Sequence, residues 1–399
     1  MAQTRSGHLL TRLRQKSAFW RRRALPCALP FLPRGLWRIL PGSSQRFGPP
    51  RRWAQWSSYL QRHQVAWLPV VSARAGEFSP PFWPRDGTLP LKAGRHFDWP
   101  EQGVAMLEGG RIVSADGWCI GRNDTFIGDF CFRGNRNSSS VYEVWRKKPP
   151  RFLPGVTLNL CSQHAAINFC HWALDAVARL ELVDRAGIQR PTIDQVVLPQ
   201  FPGETADWIT SQLGLPASKL IRPSADDQFE CEVLMQPSYP GTVEAYPPWV
   251  VQFYRRHFRP AGRTGSKRFY IPRRGRRGLV NEAEVEDELS RHGFEVFDPA
   301  GQTDLHLSLG QATHVVGIHG AALANLVFCA PGTRVLELVA SDMPWRYFYS
   351  LCSSADLPYG VLMGKSLRER RPPIQKATHA PFHVPVDQLR PALQALLAS

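Results

Sequence analysis

Val315-Val316-Gly317-Ile318-His319-Gly320-Ala321-Ala322-Leu323-Ala324-Asn325 is the stretch from which the fold can be read. An apolar run ends in small residues and passes into helix formers, so a buried strand is expected to deliver the chain into a helix at His319-Gly320. Ligands of open α/β sheets sit beyond the carboxyl ends of strands. There the first amides of the next helix lack intrahelical acceptors, and its dipole favours an anion. Gly320, Ala321 and Ala322 leave room for phosphate oxygens at the backbone, and His319 can donate to the same oxygens. The same residues also suit a tight turn whose small side chains merely pack.

The pattern continues on both sides of that turn. Residues 267–271, 294–297 and 334–339 read as strands, with helices from Asn281 and over 303–312. Asn281 stands three residues before Glu284, close to a capping-box spacing. Pro240-Gly241 and Pro247-Pro248 mark a boundary upstream. Before it, strands at 156–160, 195–198, 219–221 and 231–234 alternate with helices over 168–187 and 206–213, which predicts βαβ units and a mainly parallel sheet. Residues 75–155 read as irregular and β-rich, with short strands at 125–127 and 141–144. The chain therefore divides into a tail (1–74), a first unit (75–245), a second unit (246–375) and a terminal helix (376–399). That helix is expected to pack back on the first unit.

Charge is uneven. Of 49 Lys and Arg, 14 fall in residues 1–74, and the first acidic residue is Glu77, which leaves 35 basic against 33 acidic residues beyond the tail. A nearly neutral body argues against a nucleic-acid-binding fold, whose basic patch belongs on the folded domain. In the tail, Arg21-Arg22-Arg23, Arg34, Arg38, Arg51 and Arg52 interleave with Trp20, Phe31, Trp37, Trp53 and Trp56. Arg beside Trp suits the headgroup layer of an anionic membrane; a disordered start, or an organelle transit peptide, fits the composition as well. No run of 18 apolar residues occurs, so no ordinary membrane span is expected. The eight cysteines form no C-x-x-C pair and several sit in apolar runs, which reads as reduced, buried thiols in a cytoplasmic protein.

Two further segments carry chemistry. Tyr270-Ile271-Pro272-Arg273-Arg274-Gly275-Arg276-Arg277 puts four arginines directly beyond a strand end. Guanidinium groups grip phosphate bidentately and keep their charge, although a solvated basic loop has the same composition. In Asn168-Phe169-Cys170-His171-Trp172-Ala173-Leu174-Asp175-Ala176-Val177-Ala178-Arg179, the residues His171, Asp175 and Arg179 share one helical stripe at i, i+4 and i+8. That stripe is either a surface ion-pair ladder or a histidine whose tautomer and basicity are set by a carboxylate, as a general base requires.

These segments, in this order, resemble glycosyltransferase family 61. The resemblance rests on Asn168 to His171 and Trp172 with Asp175 and Arg179, on Tyr270 to Arg274 followed by Asn281-Glu282, and on His319 to Leu323 with Asn325, Phe328, Pro331-Gly332 and Glu337. It covers roughly residues 155–340; residues 1–155 carry none of it. Where family members often have Ser before the paired basic residues, this chain has Pro272, so backbone donation there is lost.

The resemblance implies an α/β fold of two Rossmann-like lobes of GT-B type around a central cleft, after a β-rich segment and the basic tail. It implies an inverting transfer from a nucleotide-sugar donor to an acceptor hydroxyl, with no metal and no cofactor beyond the donor as substrate. Donor contacts then fall to Arg273, His319, Gly320, Ala321 and Ala322, with Glu337 accepting from ribose hydroxyls. His171 is the candidate base, oriented by Asp175, and Asp175 as the base itself stays open. The acceptor would be a glycan, a lipid-linked glycan or a protein, met in the cytoplasm or at the inner membrane face, with residues 1–74 touching an anionic membrane. A non-catalytic sugar- or nucleotide-binding subunit of a polysaccharide assembly would keep the phosphate turn but tolerate loss of His171 and Asp175; both are present.

Overall fold

A computed structural model describes residues 50–63, 65–135, 141, 147–258, 265–300, 302–367 and 380–398. The protein is a mixed α/β structure with two large sheets. The second sheet is the simpler. Its strands run in the order Glu295–Val296, Lys267–Ile271, Ala312–Ile318, Arg334–Ala340, Tyr359–Ser366 and Phe382–His383, all parallel except the last pairing. The near-continuous apolar runs at 312–318 and 334–340 reflect strands covered on both faces. Because Lys267–Ile271 has the next strand in sequence on one side and Ala312–Ile318 on the other, the strand order reverses there. The crevice beyond the carboxyl ends of those two strands is where an open α/β sheet takes its ligand. Gly317 permits the close approach of the following segment: a Cβ there would lie 2.4 Å from Leu323 Cδ2.

The first sheet has ten strands and is mixed. A parallel block of Gln228–Pro237, Arg151–Asn159, Gln195–Val197 and Leu220–Ile221 forms one side. Antiparallel strands from residues 66–127 extend it, so the β-rich region is continuous with this sheet. The helix Pro248–Phe258 follows the Pro247-Pro248 boundary and buries Trp249, Val250, Val251, Phe253, Tyr254 and Phe258 in a core that takes residues from both sheets.

Two expectations are corrected here. The tail does not extend to residue 74. Arg52–Ala54 pairs in parallel with Thr125–Ile127, and Ala66–Val71 pairs with Gln102–Glu108. The helix Trp56–Arg62 is held at its start by Asp129, whose carboxylate accepts from Trp56 N at 2.8 Å. Trp53 Nε1 donates to Gly134 O (2.9 Å), and Trp56 is buried among Tyr59, Trp67 and Phe130. Trp56 is thus part of the first sheet's core, and Trp53 packs half-buried against it. Arg21 to Arg23, Arg34, Arg38, Trp20, Phe31 and Trp37 lie outside the described residues, as do positions 142–144 of the strand expected at 141–144.

The terminal helix Val386–Leu397 also departs from expectation. Leu389, Leu393 and Leu396 are buried with Val316, Leu336 and Leu338, on the second sheet and not on the first unit. Arg334 Nε donates to Leu396 O (2.7 Å) and Nη2 to Ala395 O (2.9 Å), a cationic cap on the helix's last carbonyls. Arg390 grips Glu288 through two bonds of 3.0 and 3.1 Å. The helix Glu282–Arg291 starts after Asn281, but no capping box forms. Asn281 Nδ2 donates to Val384 O (2.8 Å) and to Glu284 Oε2 (3.2 Å), so its side chain ties the helix start to the chain leading into the terminal helix.

Seven cysteines are buried and free, and burial pushes their thiols up, to about 12 at Cys131, Cys231 and Cys329. Cys27 lies outside the described residues. Among those residues no helix is long and apolar enough to cross a membrane.

Candidate active site

The segment after Asn168 begins helically, with Asn168 Oδ1 accepting from Cys170 N (3.0 Å) and Asn168 O from Trp172 N (3.0 Å). It does not continue as a regular α-helix. His171–Ala176 is wound as a π-helix, Val177–Arg179 as a 3-10 turn, and α-helix resumes at Leu180–Arg185. Such widened turns cluster at functional sites. Tyr254 OH donates to Ala173 O (2.8 Å) and Trp172 Nε1 to Pro199 O (3.0 Å), which hold the irregular turn in place.

The winding keeps His171 and Asp175 together and takes Arg179 away. His171 Nδ1–H donates to Asp175 Oδ2 at 2.6 Å, and Tyr246 OH donates to Asp175 Oδ1 at 2.9 Å. Asp175 is fully buried and both its oxygens are engaged, so it does not meet solvent. With Nδ1 committed, Nε2 is the ring's open nitrogen. Arg179 is buried too and donates through Nη2 to Cys161 O. The ladder reading fails, because a surface stripe would expose all three side chains. Around Asp175, burial and the neighbouring carboxylate push the hydroxyls of Tyr239, Tyr246 and Tyr347 well up, so they stay protonated donors.

In the second sheet the Ala312–Ile318 strand delivers His319 and Gly320 into a 3-10 helix, Ala321–Phe328. Amides in the first turn of a helix lack intrahelical partners. His319 Nδ1–H donates to Glu337 Oε1 at 2.5 Å, and Tyr359 OH donates to Glu337 Oε2. Glu337 is wholly buried with both oxygens taken, which corrects its assignment to ribose: it orients His319 instead. Arg273 Nη1 donates to His319 O (3.1 Å) and Nε to Arg276 O (2.9 Å). A Cβ on Gly320 would lie 2.1 Å from Arg273 Nη1, so glycine is what seats that guanidinium against the turn. Burial and the nearby Arg277 lower Arg273 to about 10, which leaves it cationic at neutral pH.

The two halves meet in one cleft. It is lined by Phe132, Arg133, His164, Asn168 and His171 from the first unit, and by Arg277, His319, Gly320, Ala321, Trp345 and Tyr347 from the second. Two arginines and three histidines face it and, among the described residues, no carboxylate does. Arg273 lies behind the turn and not on the cleft wall, while Arg277 four positions on does line it; burial lowers Arg277 also. Ala322 lines a neighbouring cavity. Sequence reasoning missed Arg133 and His164. Both have positive φ, 49° and 68°, in irregular stretches with no periodic signal. Arg133 lies against the rings of Phe132 (5.1 Å) and Trp345 (5.7 Å). His164 stands 5.6 Å from the His171 ring, and burial followed by that neighbour lowers its pKa. Among the described residues no group of three His, Cys, Asp or Glu side chains is placed to hold a metal ion.

The sequence model of the family described as Glycosyltransferase 61 matches residues 169–336, a span that holds His171, Asp175, Arg273, Arg277 and the His319-Gly320 turn. No curated protein matches the chain.

Proposed function

We propose that the chain, whose residues 169–336 match the model of the glycosyltransferase 61 family, is an inverting, metal-independent glycosyltransferase of GT-B type. The observation that carries this reading is the shared cleft: an imidazole fixed by a buried carboxylate on one side, and cations with a helix start on the other.

The acceptor hydroxyl attacks the anomeric carbon of a nucleotide sugar on the face opposite the diphosphate. Its proton passes to His171 Nε2 as the new C–O bond forms. The C–O bond to the diphosphate breaks, and the electron pair leaves on the phosphate oxygen. Arg277, His319 and the first amides of the 321–328 segment stabilise that charge, which is where such catalysis is concentrated, and Arg273 seats the turn that presents them through its bond to His319 O. Asp175 positions His171 and steadies the imidazolium. Being enclosed, it is not the base.

Partial support for the two-lobed reading comes from the second sheet, whose reversal of strand order lies at Arg273 and His319. The first sheet is mixed, so its lobe is Rossmann-like in its parallel block alone. The acceptor would be a glycan, a lipid-linked glycan or a protein, and the site of action the cytoplasm or the inner membrane face.

Thermal unfolding against a panel of nucleotide sugars tests the reading. A donor present at about 100 times its Kd stabilises the fold by about 2.7 kcal/mol. A panel in which no nucleotide sugar raises Tm contradicts it.

A further inference from the structure

The cations of the cleft fall into two groups. Arg277 and His319 stand on the second unit, beside the start of the 321–328 segment. Arg133 and His164 stand on the first unit, with His171. Phe132 joins this second group to the base: its ring lies 4.7 Å from the His171 ring and 5.1 Å from the Arg133 guanidinium carbon. His164 stands 5.6 Å from His171. In an inverting displacement the base and the leaving group act on opposite faces of the anomeric carbon. Cations gathered around the base therefore face the molecule that the base deprotonates, and the departing diphosphate falls to the other group.

Arg133 is held in place without being neutralised. It is exposed, lies against the rings of Phe132 and Trp345, and makes no ion pair among the described residues. Two aromatic neighbours restrict its rotamers while leaving its N–H donors to a ligand. Glu244, within electrostatic reach, is buried and accepts from Arg346 N (3.4 Å), not from Arg133. Lys92 Nζ, 4.9 Å from the Trp345 ring, extends the positive rim outward. With its pKa lowered by burial and by His171, His164 is neutral at neutral pH and offers one N–H, so Arg133 carries the charge. Both are non-glycine residues in the left-handed region, a conformational cost that concentrates at ligand sites.

We propose that the acceptor bears an oxyanion, a sugar carboxylate or a phosphate, close to its reactive hydroxyl, and that Arg133 binds this group with His164 as a second donor. The inference rests on the transferase reading above. The hydroxyl lies at His171 Nε2 and the oxyanion at Arg133, where a guanidinium holds carboxylate or phosphate bidentately. A neutral sugar in the same place leaves that guanidinium unanswered, so Arg133 selects acidic acceptors over neutral ones.

The test uses Arg133→Gln, which removes the charge from an exposed position, with pyrophosphate as a separate probe of the leaving-group side. Wild type and variant are applied to an array of defined glycans in matched sets, one bearing uronic acids, one bearing phosphate and one neutral. Both proteins are also titrated calorimetrically with pyrophosphate. The wild type binds at least one acidic set about tenfold or more tighter than the neutral set, near the worth of one charge-assisted hydrogen bond. Which acidic set it prefers identifies the source of the oxyanion. Arg133→Gln loses the preference and keeps the wild-type pyrophosphate affinity and Tm. Three results overturn the acidic acceptor and leave the transferase reading standing: a wild type that binds pyrophosphate but shows no preference for acidic glycans, a preference that survives in the variant, or a variant that loses pyrophosphate affinity along with it. If the wild type binds neither glycan nor pyrophosphate, both fall together.

Discussion

At the scale of single residues the cleft is built on two imidazoles, each tied at Nδ1 to a buried carboxylate that a tyrosine also holds. His171 has Asp175 and Tyr246; His319 has Glu337 and Tyr359. In each, the carboxylate sets which ring nitrogen is open. Glu337→Gln keeps the volume and replaces the carboxylate that holds His319 Nδ1. Donor affinity is expected to fall about tenfold, near the worth of one charge-assisted hydrogen bond, with Tm little changed. Unaltered donor binding by titration would show that His319 needs no such partner. His171, Asp175, His319 and Gly320 were legible because their spacing ties them to a helix stripe and a strand end. Glu337 was misread because a central parallel strand is covered on both faces, so alternation does not say which side chains look toward the ligand.

At the scale of elements, the short helix Leu180–Arg185 secures the irregular His171 turn to the helix Pro248–Phe258. Asp184 is the link: Arg190 bonds it at 2.9 Å, Arg256 at 3.1 Å, and His257 stands 3.7 Å away. Burial by itself raises Asp184, but these three partners hold its carboxyl at about 2. Its unfolded pKa is about 3.9, so the folded value is the lower one. The stability it contributes is fully present above about pH 4 and is lost as pH falls toward about 2. Asp184→Asn is expected to cost about 1–2 kcal/mol near neutral pH, discounted for partial exposure. Denaturant curves of wild type and variant should converge as the pH drops; a constant gap would refute the ion-pair account. The strands and most helices of the second sheet were readable from apolar period. The π-wound turn was not, because its winding depends on Tyr254 and Trp172 finding distant carbonyls.

For the molecule as a whole, two sheets share a core through the helix Pro248–Phe258 and leave one cationic cleft between them. The Pro-rich stretch at 240–248 falls between the last strand of the first sheet, ending at Pro237, and the first strand of the second, starting at Lys267. The placement of residues 50–74 and of the terminal helix was not legible, since both are decided by partners far along the chain: Asp129 for Trp56, and Arg334 and Glu288 for the last helix. The central claim is that this cleft divides its labour, with the base on the first unit and leaving-group stabilisation on the second. The direct measurement is donor Kd and turnover, side by side, for His171→Ala and for the double variant Arg273→Ala/Arg277→Ala. The account predicts that His171→Ala binds donor like the wild type and loses about 10²–10⁴ in turnover, whereas the double variant loses about tenfold or more in donor affinity. Near-normal turnover in folded His171→Ala, or unchanged donor affinity in the double variant, would contradict it.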